Sequence, residues 1–447
     1  MNGQSLYLHT EPRRLFIKAA LPGSISMVVS SLYMVFDSIF VGKLVGTTAF
    51  AALGLAFPMV IINFALADLI GVGSAVPISI FLGRKEEDKA NNYFTCATLM
   101  ILLTGLLMGL LMFLAAPPFM RLMGAEGELA RLGVRFIRVY ALFSPITTVT
   151  FAMDNFLRIS GKIKTSMMLN VFMSIGMVIL ELVLILVFHL GITGSALGAS
   201  LAFAVAALVG IAMFLTGRLQ LKFVRPHFHR EMLVQILKNG SPAFLTNVAG
   251  RIFSIVMNIL LLSFGGEAAV AVYGIVMTVG GVVEQILYGI LDSLQPAVGY
   301  NFGAGRMDRV RAIEKYCFFA GAAVSVIFAI LLFVFPVAVS IPFLEDLSLL
   351  PLAKHVLRIA AFTYLVKWVG HAAQSLFMAL ERPWQALCIS LGSAFVFPLV
   401  LIAALLPFGL EGLWFNYTVT AYLTALLAFF LLKKHKRMLF PESDAGY

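Results

Sequence analysis

Asp37, Asp68, Asp154 and Glu181 stand inside long apolar runs in the first half of the chain. An ionisable group in hydrocarbon is costly and by default marks an ion or substrate pathway. Asp37 follows Ser26, Ser30 and Tyr33 at spacings i, i+4, i+7 and i+11. That is one helix face, so its carboxyl is aimed at a polar cleft instead of lipid. Glu181 ends a similar stripe with Asn170 and Ser174, and Asp68 lies near the middle of its run. Asp154 has Arg158 four residues on and is expected to pair with it. No base lies mid-run in this half to serve the other three. Asp37, Glu181 and Asp68 are therefore the candidate proton- or cation-binding residues, with Ser30, Tyr33, Asn170 and Ser174 as supporting polar groups. Carboxyls so placed can take a proton near neutral pH or hold a cation. The bland alternative is that they stay protonated and hydrogen-bond neighbouring helices.

The second half is balanced. Arg251 shares a stripe with Asn247, Ser254 and Asn258; Glu284, Tyr288, Asp292 and Gln295 form another; Lys367, His371 and Gln374 form a third. Two bases and two acids sum to zero, so internal pairing is the simple expectation. The functional alternative is a cavity wall whose Arg251, Glu284, Asp292, Lys367 and His371 reorganise as substrate or proton binds. Elsewhere the chemistry is thin. His227 and His229 lack supporting ligands and read as solvated loop residues, and Cys96, Cys317 and Cys388 read as packing thiols. The glycines of Gly71-Val72-Gly73 and Gly303-Ala304-Gly305 follow no strand, so they are not phosphate loops. Gly105 and Gly109 suit close helix packing. No Ser/His/Asp set, metal quartet or nucleotide loop is present in the sequence. No metal and no cofactor is expected, and any nucleotide-driven step would need a nucleotide domain on another chain.

The elements that carry these groups are membrane helices. Of 447 residues 61% are hydrophobic and 12% charged, and mean hydropathy is +0.97. Soluble domains run at roughly 45–50% apolar and ~25% charged, so soluble, disordered and disulfide-scaffold classes are excluded. Apolar runs fall at about 15–41, 49–81, 93–115, 134–156, 167–189 and 192–215, then at 241–263, 268–302, 314–339, 355–378, 385–408 and 411–432. None shows the period-2 alternation of a β-barrel. The expected class is an all-α polytopic membrane protein with twelve transmembrane helices. Arg13, Arg14 and Lys18 precede the first run without a cleavage signature, which reads as an uncleaved first helix. The net charge of +10 is spread through short loops and forms no nucleic-acid patch. Of the 32 basic residues, 23 fall on one side with both termini and 7, from Lys43 to Arg358, on the other. The positive-inside rule then places both termini in the cytoplasm.

The chain also repeats itself. Pro22 and Pro242, Gly54 and Gly274, Gly83 and Gly303, and Asp88 and Asp308 are all 220 residues apart. Two pseudo-symmetric six-helix lobes are expected, at 1–216 and 240–447, joined by a cytoplasmic linker at 217–239 and binding substrate between them.

The segments YMVFDSIFVGKLVG, GVGSAVPISIFLGRKEEDKA and DSLQPAVGYNFGAGRMDRVRA resemble the MATE (multidrug and toxic compound extrusion) family, over about residues 12–435. The resemblance implies export of amphipathic, often cationic compounds in exchange for H⁺ or Na⁺. It implies that Asp37 is the coupling aspartate of the first helix. Glu181 stands where many members have Asp, and Met177 where an Asn often stands. That departure favours a proton, which needs fewer ligands than Na⁺. The cation-binding acids some members carry in the seventh and tenth spans are not carried over, since Gly250, Arg251, Lys367 and His371 occupy those regions. The expected protein is a bacterial inner-membrane drug/H⁺ antiporter working by alternating access, not an enzyme. Its partners are small amphipathic substrates and the bilayer, with no nucleic acid, and it acts as a monomer. The alternative is a flippase for a lipid-linked sugar, with Arg251 and Lys367 holding a pyrophosphate. A membrane enzyme or channel is disfavoured by the lack of a catalytic cluster or pore segment.

Overall fold

The computed structural model describes residues 3–344 and 346–439. Among the described residues, ten continuous helical stretches are long and apolar enough to cross a membrane. Two of them, Arg230–Gly303 with 74 residues and Pro383–His435 with 53, far exceed the ~20 residues that one crossing needs. The first breaks at Gly266, whose φ of 64° and ψ of −163° no helix contains. The second breaks at the turn Leu406–Phe408 and at Gly409, where φ is 59°. Each therefore holds two spans, and the twelve expected spans are present.

We label them α1 (Pro12–Phe40), α2 (Thr47–Gly83), α3 (Glu87–Leu122), α4 (Gly127–Ile159), α5 (Ile163–Leu186), α6 (Ile192–Leu215), α7 (230–265), α8 (267–303), α9 (Met307–Val334), α10 (Leu350–Ala379), α11 (383–405) and α12 (Gly409–Leu439). Among the described residues there is no strand. The outward face of α3 leaves Leu103, Leu106, Leu107, Leu110, Leu111 and Leu114 more than half exposed. Such a patch would drive a soluble protein to aggregate and suits a bilayer.

The chain divides into two compact units. Among the described residues, unit 1 holds 3–10 and 25–244, and unit 2 holds 11–24 and 245–439. The first half of α1 thus belongs to unit 2, and the start of α7 to unit 1. In unit 1 the start of α7 lies directly on α2: a Cβ added at Gly240 would sit 1.8 Å from the Leu69 carbonyl oxygen, and one at Gly73 2.1 Å from that of Ile236. In unit 2 the start of α1 lies on α8 in the same way, with Gly23 facing the Gly289 carbonyl and Ser293. Leu69 and Gly73 stand 220 residues before Gly289 and Ser293, so the repeat read in the sequence extends to this exchange of helix ends.

The stretch expected as a linker is only partly irregular. Residues 217–229 are non-helical, and α7 begins at Arg230 because Met232 and Ile236 are fully buried in unit 1. The irregular part is pinned to the start of α3. The Asn91 and Asn92 side chains accept from the backbone N–H groups of Lys222 and His227 at 2.8 Å each, and Thr95 Oγ1 from that of Val224 at 3.1 Å. Gly105 and Gly109 let α3 and α4 touch, and Ser144 Oγ donates to the Gly105 carbonyl at 2.9 Å.

Candidate functional site

Within unit 1 the end of α1 meets α5 and α6. Ser195 Oγ on α6 donates to Asp37 Oδ1 at 3.1 Å. The Glu181 carboxyl on α5 acts electrostatically on Asp37 and lies close to Ser195. Glu181 is 1% exposed, and neither of its oxygens reaches hydrogen-bond geometry with a neighbour. The local cause is Gly198: a Cβ there would lie 2.7 Å from the Glu181 nitrogen. The α6 backbone therefore rests on α5 at Glu181, and Ser195, about one turn earlier, is carried to the carboxyl pair.

Tyr33, about one turn before Asp37, faces both carboxyls and Tyr140 of α4, and Asn63 of α2 lies beside Tyr140. The Tyr140 hydroxyl, both polar atoms of the Asn63 side chain and Ser174 Oγ are buried without partners. Each such group costs about 1–3 kcal/mol. A fold that gathers several of them next to two carboxyls holds polar capacity for something other than its own backbone. The adjoining wall is apolar and soft: Tyr33, Phe64, Phe151, Met173, Met177 and Phe203 pack together. Phe64 sits 5.7 Å from Tyr140, 4.8 Å from Phe151 and 5.5 Å from Phe203, ring centre to ring centre. An acidic pair against aromatic faces and methionines can hold a proton, or a cation with an apolar body.

The sequence candidates separate accordingly. Asp37, Glu181 and Tyr33 come together, with Ser174 on the face of α5 that carries Glu181. Ser30 is half-buried one turn before Tyr33 and is not among the groups that act on the carboxyls. Asp68 is half-buried beside Leu69, at the level where α2 meets α7, and does not join the pair. Asn170 serves a different acid: its Nδ2 donates to Asp154 Oδ1 at 2.7 Å. Three helical turns, about 16 Å, separate it from Glu181. Asp154 also accepts from Ser166 and pairs with Arg158 at 2.7 Å, the i,i+4 pair expected from spacing.

In unit 2 the Lys367 ammonium donates to Glu284 Oε1 and to the Tyr417 hydroxyl, and Tyr417 donates to Glu284 at 3.2 Å. His371 packs edge-on to Tyr288, ring centres 5.1 Å apart, and faces the Lys367–Glu284 pair. The fourfold pairing expected here is therefore only half present. Arg251 is exposed and forms no ion pair among the described residues, though Glu284 is the acid that acts on it. Asp292 instead accepts from Gln295 Nε2 at 2.9 Å, and the same amide reaches Ser375 at 3.2 Å. The reason is distance along α8: Asp292 lies two turns, about 12 Å, beyond Glu284, where the helix tightens into a 3₁₀ turn over Asp292–Leu294.

Ser195, Asn63 and Tyr140 in unit 1, and Tyr417 in unit 2, were not anticipated. They sit on other helices than the charges they face, and carry no charge of their own to single them out. Glu314, 8% exposed on α9, is a further buried acid that spacing did not mark.

Twelve membrane helices in two repeated halves, with a buried and a half-buried acid paired among polar and aromatic side chains, define a multi-pass membrane transporter. The MatE family model matches residues 22–187 and 242–403, and the chain belongs to that family, whose members are transporters and not enzymes. It is similar to multidrug export protein MepA of Staphylococcus aureus strain N315, 27% identical over 423 residues, covering 92% of both chains. The protein of that name in Staphylococcus saprophyticus is 25% identical over 417 residues, with the same coverage. Among solved structures, the outward-facing conformation of a multidrug resistance MATE family transporter of the MOP superfamily matches with a TM-score of 0.92 at 22% identity, covering 98% of each chain. A MOP superfamily transporter from Pyrococcus furiosus matches with a TM-score of 0.91 at 21% identity and the same coverage. At such identities the structures establish the fold.

Proposed function

We propose that this protein is a secondary multidrug exporter that moves amphipathic, cationic compounds out of the cell in exchange for H⁺, carried by Asp37 and Glu181. The observation that carries this reading is the carboxyl pair in unit 1, Glu181 buried and Asp37 half-buried, beside an aromatic and methionine wall. The relatives' names, multidrug export proteins, support the substrate class.

Two interacting carboxyls titrate as a unit. Ionised, the pair attracts a cation whose apolar body lies on the Phe64 wall. Protonated, it loses that charge, the cation leaves, and the proton crosses in its place. Drug and proton thus compete for one site that is exposed alternately to the two sides. The membrane is the bacterial plasma membrane, the acting form is the monomer, and the coupling ion needs no ligand beyond this chain. The lipid-linked sugar flippase is not favoured, because the ammonium it would use, Lys367, is already taken up by Glu284 and Tyr417.

Proteoliposomes carrying the purified chain test this. An imposed proton gradient should drive uptake or release of a fluorescent cation, and Asp37→Asn should bring transport close to background while the protein still inserts. Drug affinity should fall as pH drops, since protonation discharges the pair, and Glu181→Gln should flatten that dependence. Transport that follows a Na⁺ gradient at constant pH, with no response to a proton gradient, would overturn the choice of ion. Wild-type transport by Asp37→Asn would overturn the site.

A further inference from the structure

At one end of unit 1, α3 and α4 border a cavity of about 480 Å³ into which Arg121, Arg131, Arg135 and Arg138 project. All four are exposed. Glu128 meets Arg131 at 3.4 Å and the Arg138 guanidinium lies 5.0 Å from the Phe113 ring centre, whereas Arg121 and Arg135 form no ion pair among the described residues. Four cations and no acid line the cavity, with Glu126 and Glu128 at the adjoining start of α4, so the cations raise the local potential for an anion.

The rest of the lining is apolar and includes Pro117 and Leu142, the latter 68% exposed. It continues into the leucine face of α3, where Leu110, Leu111 and Leu114 are 58%, 54% and 64% exposed. Arginines gathered where an apolar helix face ends are placed as lipid-headgroup ligands are.

The internal repeat supplies the control. Arg358 lies 5.6 Å from the Phe333 ring centre and donates to the Phe333 carbonyl at 3.4 Å, as Arg138 does to that of Phe113 at 3.4 Å; both residues are shifted by 220 positions. That contact belongs to the six-helix fold. The positions equivalent to Arg121, Arg131 and Arg135 hold Ile341, Pro351 and His355, so the fold does not require those three arginines.

We propose that this cavity binds the headgroup of an anionic phospholipid, with the phosphate among the arginines and the acyl chains along the leucine face of α3. A lipid fits better than a free phosphate because half of the site is an apolar wall that a small anion leaves uncovered.

The test uses the full chain in an uncharged detergent, with lipid adducts counted by native mass spectrometry. Phosphatidylglycerol should be retained at least tenfold over phosphatidylcholine. Arg121→Gln with Arg135→Gln should weaken phosphatidylglycerol about thirtyfold, whereas Arg121→Lys with Arg135→Lys and Arg358→Gln should leave it within a few-fold of wild type. Retention unchanged in the double glutamine variant overturns the proposal. So does glycerol phosphate binding as tightly as phosphatidylglycerol, which makes this a small-anion site. If the glutamine variant does not yield monodisperse protein, salt decides: 500 mM salt must weaken phosphatidylglycerol and not phosphatidylcholine, and salt-independent retention overturns the site.

Discussion

Lys367 holds its ammonium between the carboxylate of Glu284 and the phenol of Tyr417, with the Tyr417 ring centre 4.5 Å away. The side chains are 14% and 34% exposed for Lys367 and Glu284. Removing one partner of a fully buried pair costs roughly 3–5 kcal/mol, and the partial exposure of Glu284 brings the expected loss below that range. Lys367→Met should therefore lower the melting temperature in detergent, and adding Glu284→Gln should recover most of the loss. A double variant that melts no higher than Lys367→Met alone rules the pairing out as the stabilising contact. Tyr417→Phe deletes hydrogen bonds to charged groups, for a loss of about 1.5–3 kcal/mol. Arg251→Gln, with no ion pair to lose among the described residues, should melt close to wild type.

Helix ends are where the two units are defined, and small residues define them. Gly240 and Gly73 let backbone meet backbone where α7 starts against α2, and the clash a side chain would create is with a carbonyl, not with a movable side chain. Gly240→Val should cut the folded yield sharply, at a cost above the ~1–3 kcal/mol typical of core overpacking. Gly250→Val is the control on the same helix, because a Cβ there meets nothing within 4 Å. Yield measured by size-exclusion fluorescence of a tagged chain separates the two. Equal yields would mean that the α2–α7 contact is not needed for folding. A glycine repeat, Gly54 with Gly274 and Gly83 with Gly303, was visible in the sequence, though neither Gly73 nor Gly240 belongs to it. Which helix each glycine touches was not visible there, since Gly240 meets Leu69 across some 170 residues of chain.

Across the whole molecule the basic residues sort by end. Lys43 and Arg121 to Arg138 belong to loops and helix ends opposite those carrying Arg84, Lys85 and Lys89, given an odd number of spans between them. With twelve spans the two termini are expected to share a side, and from the positive-inside rule we propose that this side is the cytoplasm. A fluorescent protein fused after residue 439 should fluoresce in cells, and alkaline phosphatase fused there should be inactive. The reverse pattern would invert the topology. A cysteine introduced at Leu122 should react with an impermeant thiol reagent from outside, and one at Lys85 should not.

The sequence alone determined the class and the span number, because a bilayer selects continuous apolar helices of about 20 residues whatever packs beside them, and the twofold repeat, because prolines, glycines and aspartates recur 220 residues apart. It also placed Asp37 and Glu181 on polar faces, because helix periodicity fixes which side chains share a side. It separated α7 from α8 but could not show that α7 begins at Arg230, since Met232 and Ile236 look like linker residues until unit 1 buries them. The partners of the charges were decided by the tertiary structure. Asn170 goes to Asp154, Ser195 to Asp37, and Tyr417 with Glu284 to Lys367, while Asp292 and Arg251 stay apart. The physical reason is that a stripe gives the direction of a side chain and nothing of its height against a neighbouring helix. Hydrogen bonds reach only about 3 Å, so a relative shift of two turns between helices changes every partner without changing the pattern.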